Sequence, residues 1–274
     1  PITFDNWNNS KILAYWKYDD ATKLGKDSHS WLGRLNNIRT ALQGQQGDRR
    51  LRLGIAGGEW KKMMADATAR TRFASEVKKI IEQYEFDGVD FDFEWPANAS
   101  EYNNYSATVI QMRSTLGKYV YFTASLHPVS FKISPEAIDA LDFISYQCYG
   151  PAVMRFPYEQ FVKDGEAAVA YGIPKNKLVM GVPFYGSTGS LIAAYCDFVN
   201  DGLATTNEDT YTYKGNTYTF NSIETIRKKA RYVCEEDYAG IMSWDLATDI
   251  DITNNKSLLK VIKEEFDYYA NPTE

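Results

Sequence analysis

Four carboxylates lie within eight residues of the sequence FDGVDFDFEWP, which runs from Phe86 to Pro96. Asp90, Asp92 and Glu94 alternate there with apolar residues. Successive side chains of a β-strand point to opposite faces, so the three acids share one face and the apolar residues share the other. Alternate residues lie about 6.6 to 7 Å apart along a strand, so the titrations of the three carboxyl groups are coupled. This spacing predicts a catalytic row of acids.

The same acids could instead form a solvated surface or a site for a divalent cation. Phe91 and Phe93 between the acids, and Trp95 after them, argue against a solvated face. A calcium site would need ligands on a flexible loop turned by glycine, whereas a strand places these acids in a line. We therefore predict a catalytic site with no metal and no cofactor.

The acid motif resembles the signature of glycoside hydrolase family 18, which contains the chitinases and the endo-β-N-acetylglucosaminidases. The family pattern D-G-x-D-x-D-x-E is matched by Asp87, Gly88, Asp90, Asp92 and Glu94. Four acids and a glycine at fixed spacing are a specific signal. The resemblance implies retaining hydrolysis of β-1,4-linked N-acetylglucosamine polymers, chitin or chitooligosaccharides, in which the substrate's own N-acetyl group is the nucleophile.

The resemblance also implies a role for each acid. Glu94 would protonate the glycosidic oxygen and later activate water. Asp92 would orient and stabilise the N-acetyl group, and Asp90 would hold or exchange a proton with Asp92, because adjacent buried carboxylates do not all ionise easily. Asp87 lies outside the alternation, and we interpret it as a structural residue that holds the turn into the strand.

Two further segments resemble the family. Its M-x-Y-D segment is similar to LDFISYQCY, which places the family's catalytic tyrosine at Tyr146 and puts Gln147 where the family has an acid. Trp244 matches the tryptophan that forms the floor of the sugar subsite. The serine of the family's S-x-G-G segment falls on Ile55, which removes a usual hydrogen-bond donor near the acids. The predicted substrate-binding residues are Trp244, Gln147, Tyr185 and Trp95.

Strands and helices alternate along the chain, which is typical of a parallel TIM (β/α)8-type barrel with its site at the carboxyl ends of the strands. Lys11–Tyr18 resembles the second barrel strand, so the first strand lies upstream of Pro1 or is reduced to Ile2–Phe4. Because Ile2–Phe4 is short for a strand, we expect the barrel to be incomplete at the start of this chain. The other predicted strands are Leu51–Ala56, Val89–Glu94, Tyr119–Leu126, Leu141–Tyr149, Lys177–Tyr185 and Ala239–Leu246. The predicted helices are Trp31–Leu42, Ala65–Tyr84, Glu101–Leu116 with Ser100 as its cap, Ile223–Val233 and Lys256–Tyr269.

Length and composition fit one catalytic domain over residues 1–274. A small α+β insert is predicted at residues 187–222, between the last two strands, with a hairpin around Gly215. The 274 residues are 44% hydrophobic and carry a net charge of −6, with no basic run that would favour nucleic acid or an anionic membrane.

The two histidines leave little room for a zinc site or a Ser-His-Asp triad. The three cysteines form no disulfide framework.

The predicted partner is an oligosaccharide or polysaccharide that contains N-acetylglucosamine. The aromatic content of 15% suits stacking on sugar rings. We expect a monomer that binds no nucleic acid, does not insert into a membrane, and is secreted, periplasmic or on the cell surface, its export signal being absent from this chain. Two alternatives stay open: an endo-β-N-acetylglucosaminidase acting on the chitobiose core of N-glycans, and a non-catalytic chitin-binding barrel of the lectin type.

Overall fold

The computed structural model describes residues 2–3, 31–42, 50–57, 60–204 and 207–270. The described residues divide into two compact units. The first unit falls within residues 1–124 and 133–142, and the second within residues 125–132 and 143–274. Each unit contains parallel strands followed by helices, and the single catalytic domain stays a prediction.

The first unit contains parallel strands that pair in the order in which they follow one another along the chain. These strands are β1 (Ile2–Thr3), β2 (Arg52–Ala56), β3 (Gly88–Asp92) and β4 (Tyr121–Leu126), the last two residues of which belong to the second unit. The helices are α1 (Trp31–Leu42), α2 (Trp60–Ala65), α3 (Ala67–Gln83), α4 (Ala99–Leu116) and α5 (Pro135–Ala140). Parallel strands joined by helices are what the sequence periodicity predicts for this part of the chain.

The start of the chain forms a strand. Ile2 and Thr3 pair in parallel with Ile55 and Ala56 of β2, so a short strand forms within Ile2–Phe4, the segment that was expected to be too short for one. The predicted strand Lys11–Tyr18 lies outside the described residues and stays a prediction.

Two helix boundaries differ from the predicted ones because polar side chains cap the helices at other positions. The predicted helix Ala65–Tyr84 corresponds to α3, which begins at Ala67, whereas Ala65 ends the separate short helix α2. The Asp66 carboxylate between the two helices accepts a hydrogen bond from the Ala69 amide at 2.7 Å. The prediction of Ser100 as the cap of α4 is wrong. Asn98 caps this helix, its side-chain oxygen accepting a hydrogen bond from the Glu101 amide at 3.0 Å.

An aromatic core fixes the helix side of β3. Phe91 and Phe93 are fully buried. The ring centroid of Phe91 lies 5.9 Å from that of Phe73 on α3 and 4.8 Å from that of Phe122 on β4. Tyr105 on α4 contacts Phe91 edge to face at 6.5 Å. Because aromatic side chains of this size dominate the energetics of a core, they determine which face of β3 is turned towards the helices.

The second unit contains a parallel group of strands and a small antiparallel sheet. The parallel strands are β5 (Phe143–Tyr146), β6 (Leu178–Pro183) and β11 (Gly240–Trp244). The antiparallel strands are β7 (Tyr185–Ser187), β8 (Ile192–Ala194), β9 (Thr210–Tyr213) and β10 (Asn216–Thr219). The helices are α6 (Tyr158–Tyr171), α7 (Tyr195–Asn200), α8 (Ile223–Glu235) and α9 (Leu258–Ala270). The antiparallel sheet with its hairpin forms the predicted insert, and it begins at Tyr185 instead of Ser187.

A buried lysine ties α8 to the segment before α6. Lys229 is fully buried, and its ammonium group donates hydrogen bonds to the Phe156 carbonyl and to Asn221 Oδ1, both at 2.7 Å. The Nζ atom also lies 4.9 Å from the ring centroid of Phe161 on α6. Burial lowers the pKa of Lys229 to about 7, because removal from water disfavours the charged form.

This lysine should make the stability of the protein depend on pH. The pKa of Lys229 is lower in the folded state than in the unfolded state, so above about pH 7 the unfolded chain still binds a proton that the folded protein has lost. The free energy of unfolding therefore rises as the pH increases above about 7. From pH 7 to pH 9 we expect the Lys229 contribution to this rise to be about 2 kcal/mol. Urea unfolding at both pH values measures it.

Two variants separate this effect from other titrating groups. Lys229→Met should remove the contribution, whereas Lys228→Met, which changes the exposed neighbouring lysine, should keep the wild-type pH dependence. An equal pH dependence in wild type and Lys229→Met would show that Lys229 is not the group responsible.

Candidate active site

The acids of β3 face away from the aromatic core. Paired residues of adjacent parallel strands turn their side chains to the same side. Phe91 pairs with Ile55, whereas Asp90 pairs with Gly54 on β2 and with Thr123 on β4. Asp90 and Asp92 are half-buried, and Glu94, which follows the end of β3, is exposed. Asp90 and Asp92 therefore share the face of β3 that is turned away from the aromatic core, and Glu94 follows at the next alternate position.

Asp90 is anchored by residues of both neighbouring strands. Arg52 Nη1 donates a hydrogen bond to Asp90 Oδ1 at 3.3 Å. The same guanidinium nitrogen donates to the Thr123 hydroxyl, which in turn donates to Asp90 Oδ1. Neither Arg52 nor Thr123 is among the site residues predicted from the sequence. Arg52 could have been found from its position in the sequence, because it is a charged residue near the start of a predicted strand and shares a strand face with Gly54.

Ile55 lies on the helix side of β2 and not beside the acids. It is buried and pairs with Phe91 of the aromatic core. The interpretation that Ile55 removes a hydrogen-bond donor near the acids is therefore wrong. The position of β2 that flanks Asp90 is Gly54.

Asp87 has the structural role predicted for it. Its carboxylate accepts a hydrogen bond from the Leu51 amide at 2.6 Å, and its own amide donates to the Leu51 carbonyl at 2.9 Å. The Asp87 carbonyl accepts from the Tyr121 amide at 3.0 Å. Asp87 thus connects the segments that lead into β2, β3 and β4, and it fixes where the acid row begins.

Tyr146 lies on the helix side of the second unit. It is fully buried, and its ring contacts Phe131 edge to face at 5.7 Å. Tyr146 pairs with Met180 on β6. Met180 is turned towards α6, because a Cβ atom added to Gly165 of that helix would lie 2.8 Å from Met180 Cε. This packing places Tyr146 in the core and does not fit the role that the resemblance implies for it.

Tyr149 lies on the opposite face of the second unit and was missed by the sequence analysis. A Cβ atom added to Gly181 of β6 would lie 2.8 Å from Tyr149 Cε1 and 3.1 Å from the Cα atom of Gln147. The Tyr149 hydroxyl donates to Met242 Sδ at 3.4 Å, and Met242 pairs with Gly181. Gln147 and Tyr149 thus both lie against Gly181. The signal in the sequence was a second tyrosine only three residues after Tyr146.

A buried histidine fixes the segment that carries Tyr149. His127 Nδ1 accepts a hydrogen bond from the Val129 amide at 3.2 Å. The proton therefore resides on Nε2, which lies 3.0 Å from the Tyr149 carbonyl and 2.7 Å from the Gly150 carbonyl. His127 is thus a hydrogen-bonded residue that positions Tyr149 and Gly150.

The other predicted substrate-binding residues lie at or shortly after the ends of strands. Trp244 ends β11, is 51% exposed, and lies on the same face of its strand as Met242. Tyr185 is half-buried, and its ring contacts Tyr149 edge to face at 6.4 Å. Trp95 is half-buried directly after Glu94. Non-proline cis peptide bonds join Glu94 to Trp95 and Trp244 to Asp245.

No group of three or more His, Cys, Asp or Glu side chains in the described ranges is arranged to hold a metal ion. None of the helices that the structure describes is long and apolar enough to cross a bilayer.

The chain matches the model of the glycosyl hydrolases family 18 over residues 4–249. It belongs to this family. The match confirms the resemblance drawn from the acid motif. "Probable chitinase 2" of Drosophila melanogaster is similar, with 23% identity over 79% of this chain and 60% of the fly protein. The chain thus spans less than two thirds of that relative.

Solved structures of the family share the fold. A chitinase from Bacteroides thetaiotaomicron superimposes with a TM-score of 0.74 at 23% identity, covering 87% of this chain and 82% of the other. The chitinase-like agglutinin RobpsCRA from Robinia pseudoacacia superimposes with a TM-score of 0.64 at 18% identity, covering 78% of this chain and 81% of the agglutinin. These similarities confirm the predicted TIM-type barrel fold.

Proposed function

We propose that this protein hydrolyses β-1,4 linkages between N-acetylglucosamine residues by retaining, substrate-assisted catalysis. The observation that carries the proposal is the row formed by Asp90, Asp92 and Glu94 on the face of β3 opposite the aromatic core. Family membership and similarity to proteins named chitinases support it. Chitin or chitooligosaccharides are the substrates in this proposal.

Glu94 is the acid and base of the proposed reaction. It lies beyond the end of β3 and is exposed, so a polymer can reach its carboxyl group. Glu94 gives its proton to the glycosidic oxygen as that bond breaks, and the resulting carboxylate then takes a proton from the attacking water. A single side chain serves both steps because the proton that leaves in the first is regained in the second.

Asp92 and the substrate's N-acetyl group form the nucleophilic half of the reaction. The N-acetyl oxygen attacks the anomeric carbon, and positive charge develops on the resulting ring. Asp92, one alternate position below Glu94, accepts the N–H hydrogen bond of that group and stabilises the charge. Water then attacks the anomeric carbon from the face that the leaving group vacated and breaks the bond to the N-acetyl oxygen, so that two inversions give retention of configuration.

Tyr149 takes the place of Tyr146 in this proposal. Its hydroxyl is a hydrogen-bond donor on the face of the second unit that is turned away from α6, and His127 holds its backbone. We assign to Tyr149 the hydrogen bond to the N-acetyl oxygen. Gln147 lies against Gly181 beside Tyr149, and the Tyr185 ring contacts the Tyr149 ring. The exposed ring of Trp244 is available to stack on a sugar face.

Two other functions use parts of the same chain. The same acids would serve an endo-β-N-acetylglucosaminidase, so product analysis on chitooligosaccharides beside an N-glycosylated protein separates the two substrates. Similarity to an agglutinin favours a chitin-binding lectin as the second candidate. The presence of Glu94 favours the enzyme, since a lectin has no need of a proton donor. We also propose that the protein is a monomer and that it is exported.

Replacing Glu94 with glutamine should abolish most of the turnover while sugar binding remains. Glu94→Gln keeps the shape of the side chain and removes the transferable proton, so we expect kcat on chitooligosaccharides to fall by about 10² to 10⁴-fold. Glu82→Gln, a control at an exposed glutamate on α3, should retain wild-type activity. Calorimetric titration with an N-acetylglucosamine oligomer reports binding separately. Turnover of Glu94→Gln within a few fold of wild type would refute the role of Glu94.

Replacing the two tyrosines with phenylalanine should have unequal effects. Tyr149→Phe removes a hydrogen bond that strengthens in the transition state, so we expect kcat to fall by about 10² to 10³-fold. Tyr146→Phe alters a residue of the core and should change the free energy of unfolding more than kcat. Steady-state kinetics and urea unfolding of both variants measure this contrast. A greater loss of kcat in Tyr146→Phe would contradict the exchange of roles.

A further inference from the structure

Arg52 reaches Asp90 from the neighbouring strand because no side chain stands between them. The residue of β2 paired with Asp90 is Gly54, and Arg52 is two positions earlier on the same face. The guanidinium group contacts both the Asp90 carboxylate and the Thr123 hydroxyl, so it bridges β2, β3 and β4. The side chains of Arg52 and Asp90 are 27% and 16% exposed, so water only partly screens their interaction.

Arg52 and Thr123 favour the ionised form of Asp90, whereas the like charge of Asp92 opposes it. Arg52 on β2 places a positive charge at hydrogen-bond distance, and Thr123 on β4 donates a neutral hydrogen bond. Asp92 on β3 contributes a second carboxylate on the same face. Tyr105 on α4 stays neutral, because burial and then the charges of Asp90 and Asp92 raise the pKa of its phenol well above the usual value. A cation and a donor at one carboxylate oxygen both stabilise the anion.

We propose, on the basis of the function proposed above, that Arg52 is a positioning residue that keeps Asp90 ionised and fixed. The proton that the coupled acids share then resides on Asp92 and Glu94, the two carboxyl groups nearer the substrate. This assignment differs from the role that the family resemblance implies, in which Asp90 holds or exchanges a proton with Asp92.

The chemical advantage lies in the position of the proton. Asp90 precedes Glu94 by four residues, or about 13 Å along a strand, so a proton on Asp90 cannot reach the glycosidic oxygen directly. Arg52 offsets the negative charge of Asp90, which makes ionisation of Asp92 easier while Glu94 carries the proton. An ionised Asp92 is the form that stabilises the positive charge of the cyclised N-acetyl group.

Kinetics as a function of pH test the proposal. Arg52→Met removes the positive charge while keeping a side chain of similar length, so the carboxyl groups of the row become harder to ionise. The acid limb of the kcat/KM profile should then move to higher pH by about one unit. Arg52→Lys restores a positive charge and should return most of the shift. Arg231→Met, which changes an arginine paired with Glu265 in the second unit, should leave the profile unchanged.

A second measurement observes Asp90 without relying on activity. Carbon-13 carboxyl shifts of labelled aspartate, with the Asp90 signal identified by its loss in Asp90→Asn, report protonation directly. In the wild type the Asp90 signal should stay that of a carboxylate from about pH 5 to about pH 8. In Arg52→Met it should titrate at higher pH than in the wild type, and in Thr123→Val, which keeps the charge, the change should be smaller.

The outcomes separate the two proposals. Protonation of wild-type Asp90 within that pH range overturns the role of Arg52, as does an unchanged Asp90 titration in Arg52→Met. The wild-type and Thr123→Val titrations decide the question if Arg52→Met does not fold. A wild type that hydrolyses neither chitooligosaccharide nor N-glycan refutes the proposed function, and the carboxyl titration still decides whether Arg52 holds Asp90 ionised.

Discussion

The packing of Phe91 and Phe93 is the interaction on which the candidate site depends. Both rings are buried, and the Phe91 ring packs against α3 and β4. The two phenylalanines are separated by one residue, so they alternate with the acids along the chain. Turning the strand over would bury three carboxyl groups among aromatic rings without partners, which is far less favourable than the observed arrangement. The aromatic core therefore fixes the direction of the acids as firmly as any contact that the acids make themselves.

The same constraint explains why a glycine and an arginine accompany the acids. With the face of β3 fixed, the paired residues of β2 and β4 lie directly beside Asp90. Gly54 leaves room there, and Arg52 and Thr123 fill it with hydrogen-bond donors. In the second unit, Gly181 has a similar function, because it leaves room for the Tyr149 ring against β6. Small residues on the strands thus create the space that the polar side chains occupy.

Strands, helices and the acid row were predictable from the sequence because each depends on local alternation or periodicity. Strand β3, the hairpin around Gly215 and the helix that begins at Ile223 follow directly from such patterns. The placement of Tyr146 was not predictable in this way. The Cys148 amide donates to the Tyr146 carbonyl, so regular alternation ends at that point and Tyr149 is presented instead.

Contacts between distant parts of the chain also could not be predicted from the sequence. The hydrogen bond from Arg52 to Thr123 joins residues 71 positions apart, and no periodicity signals it. Ile55 was assigned to the acid side by its place in a motif, whereas the register between β2 and β3 shows that Gly54 flanks Asp90. The choice of Asn98 over Ser100 as a helix cap depends on which side chain reaches a free amide, and both residue types are common caps.

The central claim is that hydrolysis proceeds with retention of configuration, through two successive inversions at the anomeric carbon. Proton NMR of the first products of chitooligosaccharide hydrolysis, recorded before mutarotation, tests this most directly. The account predicts that the newly formed reducing end appears as the β-anomer, because the cyclised intermediate and the attack of water each invert the anomeric carbon once. Initial formation of the α-anomer would contradict it.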